Sequence, residues 1–540
     1  GEPSMDVTSR PATVTSDTFG ASRLVRSGRE IIHIQVGKAG CAIGHEFWRD
    51  LCEEHRIEYE DKSRLGTYYG NDDVFADHLD VFFNEGSKRY VPRCILMDLN
   101  MHDLAYVLQG TSGDHLGDLY GPENVVGSDE GSGNCYARAF HTEGPDLADR
   151  TLELVRKEVE KCNCLQGVQF THSISGGTGS GLTGLMLSTL HDYLDKGSKC
   201  IMQTFSLVPS PRGSDLVIEP YNAALAVQDL VENCHQCFLF DNQALSELCH
   251  RSIDLDTPKM VKLNNLVAMV MSGITATMRF TGPLNASLAK MQTNLVPFQG
   301  AHFLITGLAP VSNLHRKKYT SPDVTNLAQQ MISKDHATVS CDPVNPGDIH
   351  QEPPIPPTRY LAAWATWRGN FKSYEVDQIS RFLQKPESRY EKFFPDWIPC
   401  TIASNILDQG HCEVGDSVTF TSNNTSVSKV FERLLRNWDK MYNSKSHLHV
   451  YETEGISREI MTESRGVVQY VMDQYLEYAS WDDKLFEDNT GLGGRPLIKE
   501  SAVQNDEQQR ICRELQELRD GDQYIALKDP RDPNHSRRRR

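Results

Sequence analysis

The stretch Ser173-Ile174-Ser175-Gly176-Gly177-Thr178-Gly179-Ser180-Gly181 decides how this chain is read. It follows the apolar run GVQFTHSI at 167–174 and precedes a helical stretch that starts near Leu182. Glycines let a backbone approach an anion closely. A helix N-terminus adds unpaired N–H groups and the positive end of a dipole, and Ser and Thr add hydroxyls. The segment is a candidate phosphate cradle, with Ser173, Gly176, Gly177, Thr178, Gly179 and Ser180 as the candidate contacts. It is neither the GxxxxGK[ST] loop nor the GxGxxG fingerprint. Alone, such a loop also reads as a structural turn; the strand before it and the helix after it favour phosphate.

Outward from the loop, short β-rich runs alternate with helical stretches. The runs are IIHIQV at 31–36, CILMDL at 94–99, CIMQTFSLV at 200–208 and CFLFD at 237–241, with amphipathic segments at 147–161 and 220–233 between them. Runs that are apolar almost throughout, separated by helices, are what a parallel sheet covered on both faces requires. The first half is thus expected to be a doubly wound α/β domain. Residues 259–275 place Leu263, Leu266, Val267 and Val270 at helical spacing with further apolar residues around them, which predicts a helix buried between layers. Beyond it, AHFLITGL at 301–308 and YLAAWATW at 360–367 predict strands, and 374–385, 424–442 and 454–480 predict helices. CDPVNPGDIHQEPPIPPTR at 341–359 holds six prolines and predicts an extended loop. Residues 1–28 read as a polar extension. After the GLGG run that starts at Gly491, Ile511, Leu515 and Leu518 predict one face of a short amphipathic helix.

The 540 residues, 39% hydrophobic and 24% charged, are enough for more than one domain with a sizeable core. The net charge of −18 argues against a nucleic-acid binder, the run Arg537 to Arg540 reading as a solvated tail. No apolar stretch is long enough to span a membrane and the first 28 residues lack the pattern of a signal peptide, so no membrane partner is expected and the cytoplasm is the expected compartment. The 14 cysteines are scattered. Cys162 and Cys164 stand too close together for the usual zinc spacing and read as reduced thiols.

SGGTGSG resembles the signature loop of tubulins and FtsZ, and the resemblance extends well beyond it. REIIHIQVGKAG at 29–40, FWRDLCEEH at 47–55, NEGSKRYVPRCILMDL at 84–99, ARAFHTEG at 137–144, CNCLQG at 162–167, LVPSPRGSDLVIEPYNA at 207–223 and RFTGPLNASLAKM at 279–291 look like tubulin segments in tubulin order. The resemblance covers residues 29–480 and is nearest to β-tubulin in wording. It implies a nucleotide-binding domain over 29–256, a central helix over 257–278, a smaller mixed α/β domain over 279–423 and a helical C-terminal region over 424–490, followed by a divergent tail over 491–540.

The resemblance further implies GTP or GDP held across the carboxyl ends of the first domain's strands. Its phosphate positions map onto the 173–180 loop, Gly37, and Gly131, Ser132, Gly133 and Asn134. The ribose-binding acid maps onto Glu219 and the guanine-reading amides onto Asn242 and Asn264, an Asn being able both to donate and to accept. Other positions depart from the family pattern. Lys38 stands where tubulins have Gln, and Ala42 replaces a later Gln near the base. The family's DLEP reads Asp98-Leu99-Asn100-Met101, and Met260 replaces an aromatic that stacks on guanine. Loss of a carboxylate weakens a hard-cation site, leaving Asp98 as a weak magnesium candidate, while a lysine neutralises phosphate directly. The expectation is a nucleotide held with less dependence on magnesium and hydrolysed slowly or not at all. Lys290 occupies the position of the α-tubulin acid that activates hydrolysis on a neighbour, and Ser287 replaces a nearby Asp. A lysine cannot polarise water as a carboxylate base does, so no catalytic residue is assigned.

The implied function is a structural subunit of microtubules that pairs with α-type or other tubulins and meets microtubule-associated proteins. Its place is the cytoplasmic cytoskeleton, and the extensions at both ends suit a specialised array such as a cilium, flagellum or basal body. The alternatives are a nonpolymerising regulator that caps or sequesters subunits, and a self-assembling GTPase of the FtsZ type.

Overall fold

The computed structural model describes residues 29–480 apart from short stretches at 71–74, 76–77, 87–88, 110–114, 195–199, 212–215, 254–257, 283–285, 312–322, 348–355, 385–389, 396 and 399–400. The N-terminal extension, the helix expected around Ile511, the arginine run and the middle of the proline-rich insertion lie outside the described residues.

The first half runs β1 (Glu30–Val36), α1 (Gly37–Glu54), the hairpin β2 (Phe83–Glu85) and β3 (Tyr90–Pro92), β4 (Cys94–Asp98), α2 (Met101–Gln109), α3 (Leu116–Leu119), β5 (Val125–Gly127), α4 (Gly144–Lys161), β6 (Leu165–Ser173), α5 (Thr183–Leu194), β7 (Ile201–Val208), α6 (Glu219–Asn233), β8 (Gln236–Asp241) and α7 (Asn242–Ile253). The long helix α8 (Met260–Arg279) and α9 (Leu288–Leu295) follow. Then come β9 (Phe303–Ala309), α10 (Val324–Ile332), β10 (Tyr360–Arg368), α11 (Ser373–Leu383), β11 (Ile402–Leu407), β12 (Ser417–Asn424), α12 (Ser428–Asn443), α13 (Leu448–Thr453) and α14 (Arg458–Ser480).

Among the described residues all of these strands except the β2–β3 hairpin form one large sheet in the order β11-β10-β12-β9-β8-β7-β6-β1-β4-β5. From β5 to β9 every neighbouring pair is parallel. The apolar runs are buried as a two-sided sheet demands: every residue of β1, β4, β7 and β8 is buried. With helices on the sheet, the α/β fold expected from the alternation is the one found. The sheet does not stop at α8, because β8 pairs with β9 from Cys237–Phe303 to Leu239–Ile305. Beyond β9 the pairing becomes antiparallel at β12 and mixed at β10.

Helix α8 is buried continuously from Asn265 to Arg279, since it lies under α1 on one side and the second half of the sheet on the other. Gly273 sets that approach: a Cβ there would sit 1.9 Å from the Thr419 hydroxyl oxygen. Near the end of α8 a fully buried ionic cluster joins the two halves. Glu54 of α1 lies 2.6 Å from Arg279 Nη1 and 2.8 Å from Arg368 Nη1, and the Ser272 hydroxyl bonds it as well.

Two expectations need correction. The helix expected at 424–442 begins only at Ser428, because Asn424 ends a strand and its side chain caps a 3-10 turn by accepting from Ser426 N at 2.8 Å. The segment 454–480 breaks at Gly455, whose φ of +97° no helix accommodates, so α13 ends before it and α14 starts at Arg458. Strand β12 carries Ser, Thr or Asn at six of its eight positions, and β11 is interrupted by Ser404 and Asn405, so neither gives an apolar run to read. No described helix is long and apolar enough to cross a membrane. The described cysteines carry free thiols.

Candidate nucleotide site

In the parallel part of the sheet the chain builds outward from β1 through β4 to β5, then returns to lay β6 on the other side of β1. The connections after β1 and β6 therefore leave in opposite directions and open a crevice above the carboxyl ends of the strands. Gly37 directly follows β1, and the 173–179 loop follows β6. The two meet there, since a Cβ on Gly37 would stand 3.2 Å from Gly179 N. Gly37 has φ +72°, a left-handed conformation that the turn into α1 requires.

The third loop closes on the same point. Gly131, Ser132, Gly133 and Asn134 follow β5, and three of them are left-handed, with φ of +67° at Gly131, +56° at Gly133 and +60° at Asn134. Successive backbone N–H groups in such conformations form concave anion-binding nests. The Ser132 hydroxyl lies 3.2 Å from that of Thr178, and a Cβ on Gly177 would come within 2.6 Å of Ser132 Oγ, Asn134 C and Cys135 N. By contrast Gly131, Gly133 and Gly176 face open space, with nothing within 4 Å of a Cβ. Gly37, Gly177 and Gly179 thus form a close-packed floor, and the other glycines leave room above it.

Groups that bear no charge hold the floor in place. His172 bridges the Gly179 carbonyl at 2.8 Å and the Ser206 hydroxyl at 2.7 Å, and burial lowers its pKa to about 4, so it is a neutral brace. Asn222 donates to the carbonyls of Asn134 and Ser175 and accepts from Tyr136 N and the Tyr451 hydroxyl. Ser180 is buried, with its hydroxyl turned back onto the carbonyls of Gly176 and Gly177 and its N–H onto Gly176. It closes the loop instead of presenting a hydroxyl to the crevice. The Ser173 and Ser175 hydroxyls lie 2.9 Å apart at the rim.

Two of the remaining positions stand at the starts of helices that follow β7 and β8. Glu219 is the first residue of α6 and Asn242 the first of α7, directly after β8. Met260, the first residue of α8, is 56% exposed, and Asn264 follows at i+4 on the same face, half-buried. A cavity of about 150 Å³ beside Glu219 is lined by Val208, Leu239, Val430 and Arg433. Lys290 is exposed on the first turn of α9, and Ser287 caps that helix by accepting from Lys290 N at 3.3 Å.

The corner between Gly37 and β4 differs from its sequence reading. Lys38 is exposed, yet its Nζ lies 2.8 Å from Asp103 Oδ1, a residue the sequence did not single out. Asn100 donates from its amide to Asp103 Oδ2 at 2.8 Å and, as the cap of α2, accepts from His102 N at 3.1 Å. Asp98 is buried. One oxygen accepts from Asn100 N at 3.1 Å, the other is buried without a hydrogen-bond partner, and burial pushes its pKa up to about 6. A magnesium ion wants octahedral oxygen ligands, commonly one or two carboxylates beside phosphate and water. Here the Asn100 oxygen is engaged, both Asp103 oxygens accept from a neighbour, and the unpartnered Asp98 oxygen is out of solvent reach, so the donor set does not fit that ion.

The likeness to known proteins agrees with this arrangement. Residues 30–250 match the Tubulin/FtsZ family, GTPase domain, and residues 300–436 match the Tubulin C-terminal domain. The nucleomorph tubulin beta chain of Guillardia theta is 38% identical over 464 residues, which span 85% of this chain and 99% of that protein. The chain belongs to the tubulin family, as a divergent, beta-like member.

Proposed function

We propose that this chain is a tubulin-type cytoskeletal subunit that holds GTP or GDP in the crevice above β1 and β6 and assembles with other tubulins, first of all an α-type partner. The observation that carries this reading is the meeting of Gly37, the left-handed 131–134 loop and the 173–179 loop at the point where the sheet reverses its winding. These loops receive the phosphates, Glu219 binds the ribose, and Asn242 and Asn264 read the guanine edge. Met260 covers the base with a flexible thioether in place of a ring, which lowers affinity relative to a stacked aromatic. Lys290 supplies no base, so the chain does not activate hydrolysis on a neighbour, and its own turnover is at most weak and partner-dependent.

In this reading the first domain runs from residue 29 to α7, α8 is the central helix, the second domain runs from α9 to β12, and helices α12 to α14 form the C-terminal region. The extensions at 1–28 and 491–540 suit a specialised array, a cilium or basal body, and contacts with microtubule-associated proteins. Denaturing the purified protein and identifying released nucleotide by chromatography tests the core of the proposal. Stoichiometric GDP or GTP is expected, and an empty pocket in folded protein overturns it. Co-sedimentation with microtubules separates an assembling subunit from a regulator that caps or sequesters.

A further inference from the structure

We propose that the ammonium group of Lys38, steadied by Asp103, takes the place of a divalent cation in this crevice, so that the chain binds a guanosine di- or triphosphate without magnesium. The inference rests on the nucleotide reading above and concerns the chemistry of one corner of that site.

Phosphates need a counter-charge beyond what loop dipoles provide, and the corner has one built into the chain. Lys38 follows Gly37, at which a Cβ would stand 3.2 Å from Gly179 N of the phosphate loop. Its ammonium carries three donors, of which Asp103 takes one, and the side chain is 63% exposed, so two donors remain for phosphate oxygens. Asp103 also accepts from Asn100, so its position is fixed from two sides. A divalent ion finds the opposite conditions: Asn100 Oδ1 is held by His102 N, the unpartnered Asp98 oxygen is buried, and Lys38 itself repels a second cation. The carboxylate that would draw a metal serves to orient a lysine. Asp103 is accordingly a positioning residue, since it acts on phosphate only through Lys38.

The test is titration of the full chain with a fluorescent GDP analogue, in buffer containing magnesium and in buffer containing a chelator, for the wild type, K38Q and K38Q/N100E. The wild type is expected to change affinity less than about threefold on chelation. K38Q is expected to lose about tenfold or more in chelator, the size of one charge-assisted contact. K38Q/N100E, which exchanges the ammonium for a carboxylate, is expected to bind more tightly with magnesium than without. Thermal melting of the variants controls for folding, and both positions lie at the surface or partly exposed. A tenfold or greater loss by the wild type on chelation, or equal binding by K38Q and wild type in chelator, overturns the proposal alone. Absence of binding by the wild type in both buffers overturns it together with the nucleotide reading.

Discussion

The side-chain amide nitrogen of Asn222 lies 2.7 Å from the carbonyl oxygen of Asn134, and the same nitrogen lies 3.0 Å from that of Ser175. One buried amide therefore ties the loop after β5 to the loop after β6, and its oxygen accepts from Tyr136 N at 3.0 Å and the Tyr451 hydroxyl at 2.5 Å. The crevice depends on this strut as much as on its glycines. Replacing Asn222 with Ala removes a partner from four polar groups, of which Tyr136 N and the Tyr451 hydroxyl lie in the interior, and should cost about 2–4 kcal/mol by urea unfolding and deplete nucleotide in the purified protein. Asn222→Asp sets a carboxylate oxygen against two carbonyls and should be at least as damaging. Wild-type nucleotide content in N222D would refute the strut.

The glycines of the cradle divide by what stands over them. Gly177→Ala brings a methyl group within 2.6 Å of the 131–134 loop, so the two loops must part, whereas Gly176→Ala points into open space. G177A should lose nucleotide retention and G176A keep its fold, as thermal melting would register. Equal behaviour of the two would mean that the loops are not packed as described.

Glu54 sits between two arginines in the interior. Burial alone would raise its pKa, but Arg368 and Arg279, with His411, hold the carboxyl well below the usual range. Glu54→Gln removes the carboxylate that pairs with both Arg279 and Arg368 and should destabilise by about 3–5 kcal/mol, read as a shift in the urea midpoint at constant slope. A change below about 1 kcal/mol would show that water or a rearrangement compensates the arginines.

Asp229 gives a pH dependence of defined sign. Burial pushes its carboxyl up to about 7, although the Tyr136 hydroxyl donates to it at 2.6 Å and so favours its charge; Glu232 adds to the rise. Between about pH 4 and 7 the folded chain keeps a proton that the unfolded chain has released, so stability falls as pH rises through this window and levels off above it. Asp229→Asn removes the term. Between about pH 4.5 and 6.5 the wild type should lose about 1.4 kcal/mol more per pH unit than D229N in parallel urea titrations. Equal slopes would place the proton elsewhere.

The alternation of apolar runs with helical segments was enough to predict a parallel sheet with helices, because a strand covered on both faces must be apolar along its length. The SGGTGSG loop, framed by its strand and helix, carried the phosphate reading by the same local logic. The strands β11 and β12 were not legible, since Asn405 and the Ser, Thr and Asn residues of β12 are buried by neighbours distant in sequence. Even the runs that were read correctly hide a polar row across β6 and β7, where the Gln169 amide donates to Gln203 at 2.9 Å, an arrangement only register decides. Asp103 and Asn222 belong to no local pattern: one acquires its meaning from a lysine 65 residues away, the other from carbonyls 47 and 88 residues away. Sequence determined which segments become strands, helices and phosphate loops, since propensity and burial act over a few residues. Only the tertiary structure decided which side chains brace the loops and which carboxylate meets Lys38, because pairing in a folded interior is set by where the sheet brings distant residues together.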